Sequence, residues 1–203
     1  MYVSPLRQFR QEESGEAPAD RFAGMLQFMD RYLERAASLL HESAGRLSAV
    51  ELGAHAEGQW SIADTIEHLA RTFSGTAKGL ERVLAAGTPA ATRAGLHSRA
   101  ASLLVIDCGY FPKGRKSPEM AAPRGIEPER ALLLALEKLR VMDDALGRAA
   151  KAFGTRIHVL DHPVLGPLSV RQWRKFHWVH TRHHAVQIVR RTTARDASSV
   201  RRN

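Results

Sequence analysis

Late in the chain stands the stretch His177-Trp-Val-His-Thr-Arg-His-His184, within a segment whose pattern predicts one long helix. His180 and His184 are four residues apart, so a helix places their imidazoles one above the other on a single face. In this way one helix can present two nitrogen ligands to one transition metal. The spacing makes a metal site the first hypothesis for this chain.

Four segments of the chain predict long amphipathic helices. Apolar residues recur there at spacings of three and four, over about residues 21–45, 61–86, 128–152 and 169–193. Capping boxes at Ser61-Ile-Ala-Asp64 and Ser169-Val-Arg-Gln172 mark where the second and fourth helices begin. Proline and glycine repeatedly break residues 88–126, and the apolar run Ser102-Leu-Leu-Val-Ile-Asp107 fits helix or strand equally well. Four long helices with one long crossover, between the second and third, imply an all-α four-helix bundle.

The 203 residues suit one core, and we divide them into three parts. Residues 1–18 are polar and predict a flexible arm, residues 19–193 a single four-helix-bundle metal-binding domain, and residues 194–203 a basic tail. Residues 190–203, with five arginines and one aspartate, carry +4 of the chain's net charge of +9, and no basic stripe interleaved with aromatic residues is seen. Nucleic acid is therefore not an expected partner.

Composition places the chain among ordinary globular proteins, with 44% hydrophobic and 25% charged residues. No apolar run approaches the roughly 18 residues of a membrane-spanning helix, and the N-terminal residues lack the apolar core of a secretory signal. The single cysteine, Cys108, suits a reducing compartment, so we expect a cytoplasmic protein without a membrane partner. We interpret Cys108 as a small buried hydrophobic residue, because no base stands beside it in any motif.

Two histidines make an incomplete catalytic metal site, which usually has three protein ligands and an open position. His68, in the second helix, is the candidate for the third ligand. It shares a face with small residues, among them Gly75 and Gly79, which would leave a hollow in front of the imidazole. Alternatively, His68 is a hydrogen-bonded core histidine, and the glycines only permit close helix packing.

Two motifs at these histidines resemble the metal-ligand motifs of the DinB/YfiT-like family. They are Trp60-Ser-Ile-Ala-Asp-Thr-Ile-Glu-His-Leu69 and the stretch over residues 162–187, and Phe111-Pro-Lys-Gly114 resembles one branch of the same family. The resemblance covers about residues 20–192 and implies a four-helix bundle in up-down-down-up order. It also implies a metal triad of one histidine in the second helix and two, four apart, in the last. Those positions are His68, His180 and His184.

Members of that family include thiol-dependent transferases and isomerases and metal-dependent hydrolases. The resemblance therefore implies a divalent metal, most often zinc or nickel, that activates a water or the thiolate of a low-molecular-weight thiol cosubstrate against a small-molecule substrate. The enzyme would then be a thiol S-transferase or a hydrolase. The alternative is a non-catalytic module that binds a metal or ligand in a stress response. A homodimer formed through helix faces is compatible with either.

Two residues are candidates for a direct part in catalysis. Asp64, one turn before His68, either orients that imidazole or serves only as the acid of the capping box. His177 either contacts substrate or acts as a proton carrier, and the alternative is that it lies exposed on the surface.

Three further residues are candidates for a substrate pocket: His162, Trp173 and Gln187. At 100° per residue, Trp173 and Gln187 fall within about 20° of His180 on the helical stripe, at roughly +20° and −20°. The alternatives are that His162 caps a turn, that Trp173 packs in the core, and that Gln187 merely extends the stripe.

Overall fold

The computed structural model describes residues 23–24, 26–93, 95–111 and 117–200, those from 195 onward by their backbone only. The chain is mostly helical with one small sheet, which confirms the expected helical class. Its elements, in chain order, are α1 (Arg31–Ala44), α2 (Ala49–Gly53), α3 (Ile62–Ala86), α4 (Leu96–Ser102), α5 (Pro128–Phe153), β1 (His158–His162), β2 (Gly166–Ser169) and α6 (Val170–Val200). The predicted arm over residues 1–18 and residues 201–203 of the predicted tail lie outside the described residues.

The helices that carry the histidines begin where the capping boxes predict. The Ser61 hydroxyl accepts the Asp64 amide N–H, and the Asp64 carboxylate accepts the Ser61 N–H at 2.8 Å, which fixes the start of α3. Ser169 and Gln172 exchange the same pair of bonds at the start of α6. At the other end of α3, Gly87 adopts a left-handed conformation with φ of 68° and terminates the helix. The helix α6 continues beyond the predicted end near residue 193.

The first predicted helix, over about residues 21–45, is interrupted: residues 23, 24 and 26 are helical, and a turn over residues 27–30 separates them from α1. Helix α1 begins at Arg31 because Asp30 has extended backbone, and its side chain accepts the Tyr32 N–H at 3.0 Å as an N-cap. The Asp30 N–H in turn donates to the Asp143 carboxylate of α5 at 2.9 Å. Arg174 of α6 lies within 4 Å of both carboxylates, so this group ties α1, α5 and α6 together.

The core lies where the apolar faces of the long helices meet. Helix α3 packs along α5, and α1 packs along α6. The predicted apolar stripe of α3 is buried at most of its positions, namely Ile62, Ile66, Leu69, Phe73 and Leu80. On α5, Leu136, Leu139, Met142 and Leu146 are buried as predicted. Leu132 is only partly covered and packs against the edge of this cluster.

A β-hairpin occupies the link between α5 and α6, where the sequence predicted irregular chain. Strands β1 and β2 pair antiparallel, with Leu160 opposite Leu168. Leu160 packs against Gly79 of α3 so closely that a Cβ there would meet its side chain at 2.5 Å. The expected hollow at Gly79 is therefore filled, whereas Gly75 has open space in front of it.

The ambiguous apolar run after α4 is helical. A π-helical turn, Leu103–Asp107, continues α4 and buries Val105 and Ile106 against the core. Cys108 follows this turn and is exposed, so the prediction that it is buried is wrong. It lies just past the helix end, where its backbone N–H closes the last π-type turn.

Among the helices of the described ranges, none combines the length and apolar character needed to cross a membrane.

Candidate metal centre

Three imidazoles from two helices meet at one point. The Nε2 atom of His180 lies 3.3 Å from Nε2 of His68 and 3.0 Å from Nε2 of His184. One nitrogen from each ring falls within 4.8 Å of the other two. All three side chains are buried, with exposed fractions of 5%, 7% and 9% for His68, His180 and His184. Helix α3 supplies the first ligand and successive turns of α6 supply the others.

The second nitrogen of His68 fixes which form of the ring is present. Its Nδ1 lies 2.8 Å from the Ala121 carbonyl oxygen and 3.2 Å from the Ser117 hydroxyl. Because a carbonyl only accepts, Nδ1 carries the hydrogen and donates it. In the neutral ring, Nε2 then holds a lone pair directed at the other two histidines. In metal-bound histidines, the ring nitrogen that does not bind the metal commonly donates its hydrogen to a carboxylate or a backbone carbonyl.

His184 is oriented by a residue of its own helix. Its Nδ1 lies 2.9 Å from Oε1 of Gln187, and the Gln187 amide donates onward to Nε2 of His183 at 3.0 Å. The His184 Nε2 is therefore also an unprotonated acceptor. Gln187 thus contacts one of the three clustered imidazoles, and its assignment to a substrate pocket stays a prediction.

The third imidazole is held by stacking. The ring of His180 stacks on those of Phe111 and Phe176, at 21° and 22° to them, with centroids 5.6 and 5.4 Å away. Its Nδ1 is buried and has no hydrogen-bond partner among the described residues. The ring of Trp60 lies 5.3 Å from that of His68 and covers the cluster on the α3 side.

Burial keeps the three imidazoles neutral. Desolvation is the largest cause in each case: it lowers the pKa of His184 to about 3, places that of His180 well below its ordinary 6.5, and lowers that of His68. Mutual repulsion between the rings lowers the pKa of His180 and His184 further. At neutral pH each ring can therefore offer a lone pair.

The donor set fits a divalent transition metal. Two nitrogens bound to zinc at about 2.0–2.1 Å with tetrahedral angles are about 3.3 Å apart, close to the two observed separations of 3.3 and 3.0 Å. A single N–H from His180 can satisfy only one of the two lone pairs that face it, whereas one cation can satisfy all three. Neutral imidazoles accept several metals of this type.

His177 lies deeper in the core than the triad. It is fully buried, its Nε2 lies 3.1 Å from the Thr76 hydroxyl, and its ring stacks on Trp173. The alternative of an exposed surface histidine is wrong, because α6 turns this position toward α3. Its suggested part in proton transfer stays a prediction.

The other predicted site residues take mainly structural contacts. The Asp64 carboxylate accepts from Ser61, as a capping acid does, and the carbonyl of Ala121 orients His68 in its place. His162 Nδ1 accepts two backbone N–H groups in the hairpin turn, from residues 164 and 165. Trp173 is 3% exposed and donates its indole N–H to the Leu160 carbonyl at 3.2 Å. The assignment of His162 and Trp173 to a substrate pocket stays a prediction, as does a part of Asp64 in catalysis.

Sequence reasoning missed several neighbours of the triad, among them an aromatic ring and a backbone carbonyl. Phe111 stacks on His180, and the backbone carbonyl of Ala121 receives the His68 N–H. Both lie in the segment over residues 88–126 that is predicted to be irregular. A backbone carbonyl is present in every residue, so no residue type marks the one that contacts His68. Residues 112–116, which include most of the Phe111-Pro-Lys-Gly114 motif, lie outside the described residues.

Comparison with known proteins gives one result. The family described as protein of unknown function (DUF1569) matches residues 38–191, a span that includes all three histidines. No curated protein and no solved structure matches the chain.

Proposed function

We propose that this chain, which belongs to the DUF1569 family of unknown function, binds a divalent transition metal through His68, His180 and His184. Zinc and nickel are the metals we expect. The observation that carries this proposal is the convergence of three Nε2 atoms, two of them fixed as acceptors by the hydrogen bonds of the opposite nitrogen. Such pre-orientation of ligands is typical of metal sites.

We propose further that the four long helices form a bundle of the DinB/YfiT-like kind. The order of the ligands supports this relationship, with one histidine in α3 and two, four apart, in α6. The pairing of α3 with α5 and of α1 with α6 is compatible with it. An experimental structure that places the four helices in up-down-down-up order would test this part of the proposal.

The proposed activity is the activation of a thiol or a water molecule against a small substrate, as in a thiol S-transferase or a hydrolase. A bound metal of this type supplies Lewis acidity, which favours the deprotonated form of either nucleophile near neutral pH. The residues of the chain hold the ligand atoms in place and exclude water. Phe111, Phe176 and Trp60 surround the imidazoles with apolar rings, which strengthens electrostatic interactions at the centre.

Elemental analysis of protein purified without a metal-affinity tag tests the metal site. We expect close to one zinc or nickel per chain in the parent and a large loss in His184→Ala, because two ligands hold a divalent ion poorly. His183→Ala is the matched control. It removes the adjacent histidine of the same helix, which is not in the triad, so its metal content should stay close to that of the parent.

Equal metal in the parent and His184→Ala would contradict the proposed site. With metal bound, turnover of an electrophilic substrate that depends on an added thiol would identify a transferase, and thiol-independent turnover of an ester or amide would identify a hydrolase. A metal-loaded protein inactive in both assays would favour the non-catalytic module.

A further inference from the structure

Glu67 is a buried carboxylate beside the metal centre that the proposed function does not use. It precedes His68 on α3 and is 6% exposed. A buried carboxylate requires strong hydrogen bonds to offset its loss of hydration. The groups that donate hydrogen bonds to Glu67 therefore indicate the role of its charge.

One oxygen of Glu67 receives three consecutive backbone N–H groups. Its Oε2 lies 3.0, 3.0 and 3.1 Å from the nitrogens of Arg124, Gly125 and Ile126. Gly125 has a φ of 83°, and a left-handed residue of this kind lets successive N–H groups point at one anion. The carboxylate and this backbone turn thus form one charge-assisted clamp.

The clamp holds the segment that orients His68. Residues 117–126 cross α3, and within them the Ala121 carbonyl and the Ser117 hydroxyl contact the Nδ1 atom of His68. Arg71, one turn after His68, donates to the Met120 carbonyl at 2.8 Å. The segment is therefore tied to α3 on both sides of Ala121, by Arg71 before it and by Glu67 after it.

We propose that Glu67 is a positioning residue of the metal centre: by clamping the backbone of residues 124–126 to α3, it keeps the Ala121 carbonyl on His68 Nδ1. This inference rests on the proposed function for its metal-binding consequence. It explains why a charge is buried next to a set of neutral imidazoles without touching them. Loss of the clamp frees the carbonyl, and the His68 ring can then turn or place its hydrogen on Nε2.

Zinc affinity, measured by competition with a chromophoric chelator, tests the clamp in the full chain. Glu67→Gln replaces the charged acceptor with a weaker one, and Glu67→Ala removes it. Because loss of an outer hydrogen bond typically lowers metal affinity about 10–100-fold, we expect zinc affinity to fall in the order parent, Gln, Ala. Asp143→Asn is the control for general destabilisation, since Asp143 is also a buried carboxylate that accepts a backbone N–H, but from α1. Its zinc affinity should stay within about threefold of the parent.

A pair of glycine substitutions tests the same clamp without changing the carboxylate. Gly125 and Gly87 both have positive φ, and both have open space where a Cβ would stand, so alanine imposes a similar backbone strain at each. Only Gly125 donates to Glu67. Gly125→Ala should therefore lower zinc affinity by about tenfold, whereas Gly87→Ala, at the far end of α3, should leave it unchanged.

The position of the His68 hydrogen gives a readout that is independent of metal. Long-range proton–nitrogen NMR correlations of the metal-free chain should show the Nδ1–H form in the parent and a mixture of the two neutral forms in Glu67→Gln. Unchanged zinc affinity and an unchanged His68 ring in Glu67→Gln would overturn the inference while leaving the metal site intact. An equal loss of affinity in Glu67→Gln and Asp143→Asn would also overturn it. If the parent binds no zinc but the ring still responds, the proposed function fails and the positioning role is retained.

Discussion

At the scale of single residues, two imidazoles of the centre are oriented by a hydrogen bond at the second nitrogen, and the third is held by ring stacking. His68 meets a backbone carbonyl and His184 meets a side-chain amide, while the far nitrogen of His180 has no partner among the described residues. The three ligands are therefore not equivalent. Among the described residues, Gln187 is the one hydrogen-bond partner of His184 Nδ1. A single substitution at Gln187 can therefore test how the orientation of His184 affects metal binding.

Removal of the Gln187 acceptor should weaken metal binding without removing a ligand. Gln187→Met keeps the length of the side chain but cannot accept the His184 N–H, so we expect zinc affinity to fall by about tenfold. Chelator competition would measure this. Gln187→Glu, which retains an acceptor at the same place, is the matched control and should bind zinc at least as tightly as the parent. Equal weakening in both variants would show that packing, not the hydrogen bond, is what matters.

The buried His177 should make the metal-free protein sensitive to acid. Burial lowers its pKa from 6.5 to about 3, so below pH 6.5 the unfolded chain binds a proton that the folded chain does not. The free energy of unfolding must then fall as pH falls from 6.5 toward 3. Between pH 7 and pH 5 this one group contributes a loss of about 2 kcal/mol.

His177→Phe tests that contribution, because phenylalanine fills a similar space among the same aromatic rings but does not titrate. Urea denaturation at pH 7 and pH 5 would give the two free energies for each protein. The expected result is a smaller difference between the two pH values in the variant, by about 2 kcal/mol, whatever its stability at pH 7. Identical pH dependence in the two proteins would mean that His177 is not responsible.

At the scale of the elements, the two glycines of α3 have different surroundings and therefore different effects on stability. Gly79 is approached by Leu160 of the hairpin, so a Cβ there would force that side chain to move. Gly75 faces open space and is exposed, so it only weakens the helix. The hairpin therefore contacts α3 at Gly79, where the missing side chain makes room for Leu160.

Alanine at each position separates these roles. Gly79→Ala should destabilise the protein by about 1–3 kcal/mol, because the partly buried Leu160 side chain has to move away from its contact with this position. Gly75→Ala on the same helix should stabilise it by up to about 1 kcal/mol, through the better helix propensity of alanine. Urea denaturation of both variants gives the comparison. A stabilised Gly79→Ala would show that Leu160 repacks without cost.

At the scale of the whole molecule, a bound metal would link α3 to α6. These helices contribute one and two of the three clustered histidines, and His68 and His180 are 112 residues apart in the chain. A ligand that binds only when these positions are together stabilises the folded state by mass action. Metal binding and the stability of the fold should therefore be coupled.

Thermal unfolding with and without metal measures that coupling. At a free zinc concentration 100 times its dissociation constant, we expect the free energy of unfolding to rise by about 2.7 kcal/mol, and a chelator such as EDTA should reverse the gain. His68→Ala, which removes the only clustered histidine of α3, provides the comparison. If zinc stabilised this variant as much as the parent, the metal would be binding elsewhere.

Features that depend on neighbours a few residues apart could be predicted from the amino-acid sequence alone. Ser61 and Asp64, and likewise Ser169 and Gln172, start α3 and α6 through bonds that span three residues, so the capping motif predicts both helix starts. The spacing of His180 and His184 predicts that they share a face for the same reason. Apolar periodicity predicted most of the buried stripe of α3, because the helical period is a local property.

The groups that surround the clustered histidines could not be predicted in this way, because they come from distant parts of the chain. The carbonyl that receives the His68 N–H is 53 residues away, and every residue has such a carbonyl, so no pattern could single out Ala121. The hairpin was missed because its strands are short and are held by docking on α3 and α6. Local motifs fix where a helix begins and which way a ligand faces. Which groups it meets depends on packing between distant parts of the chain, and that was visible only in the folded molecule.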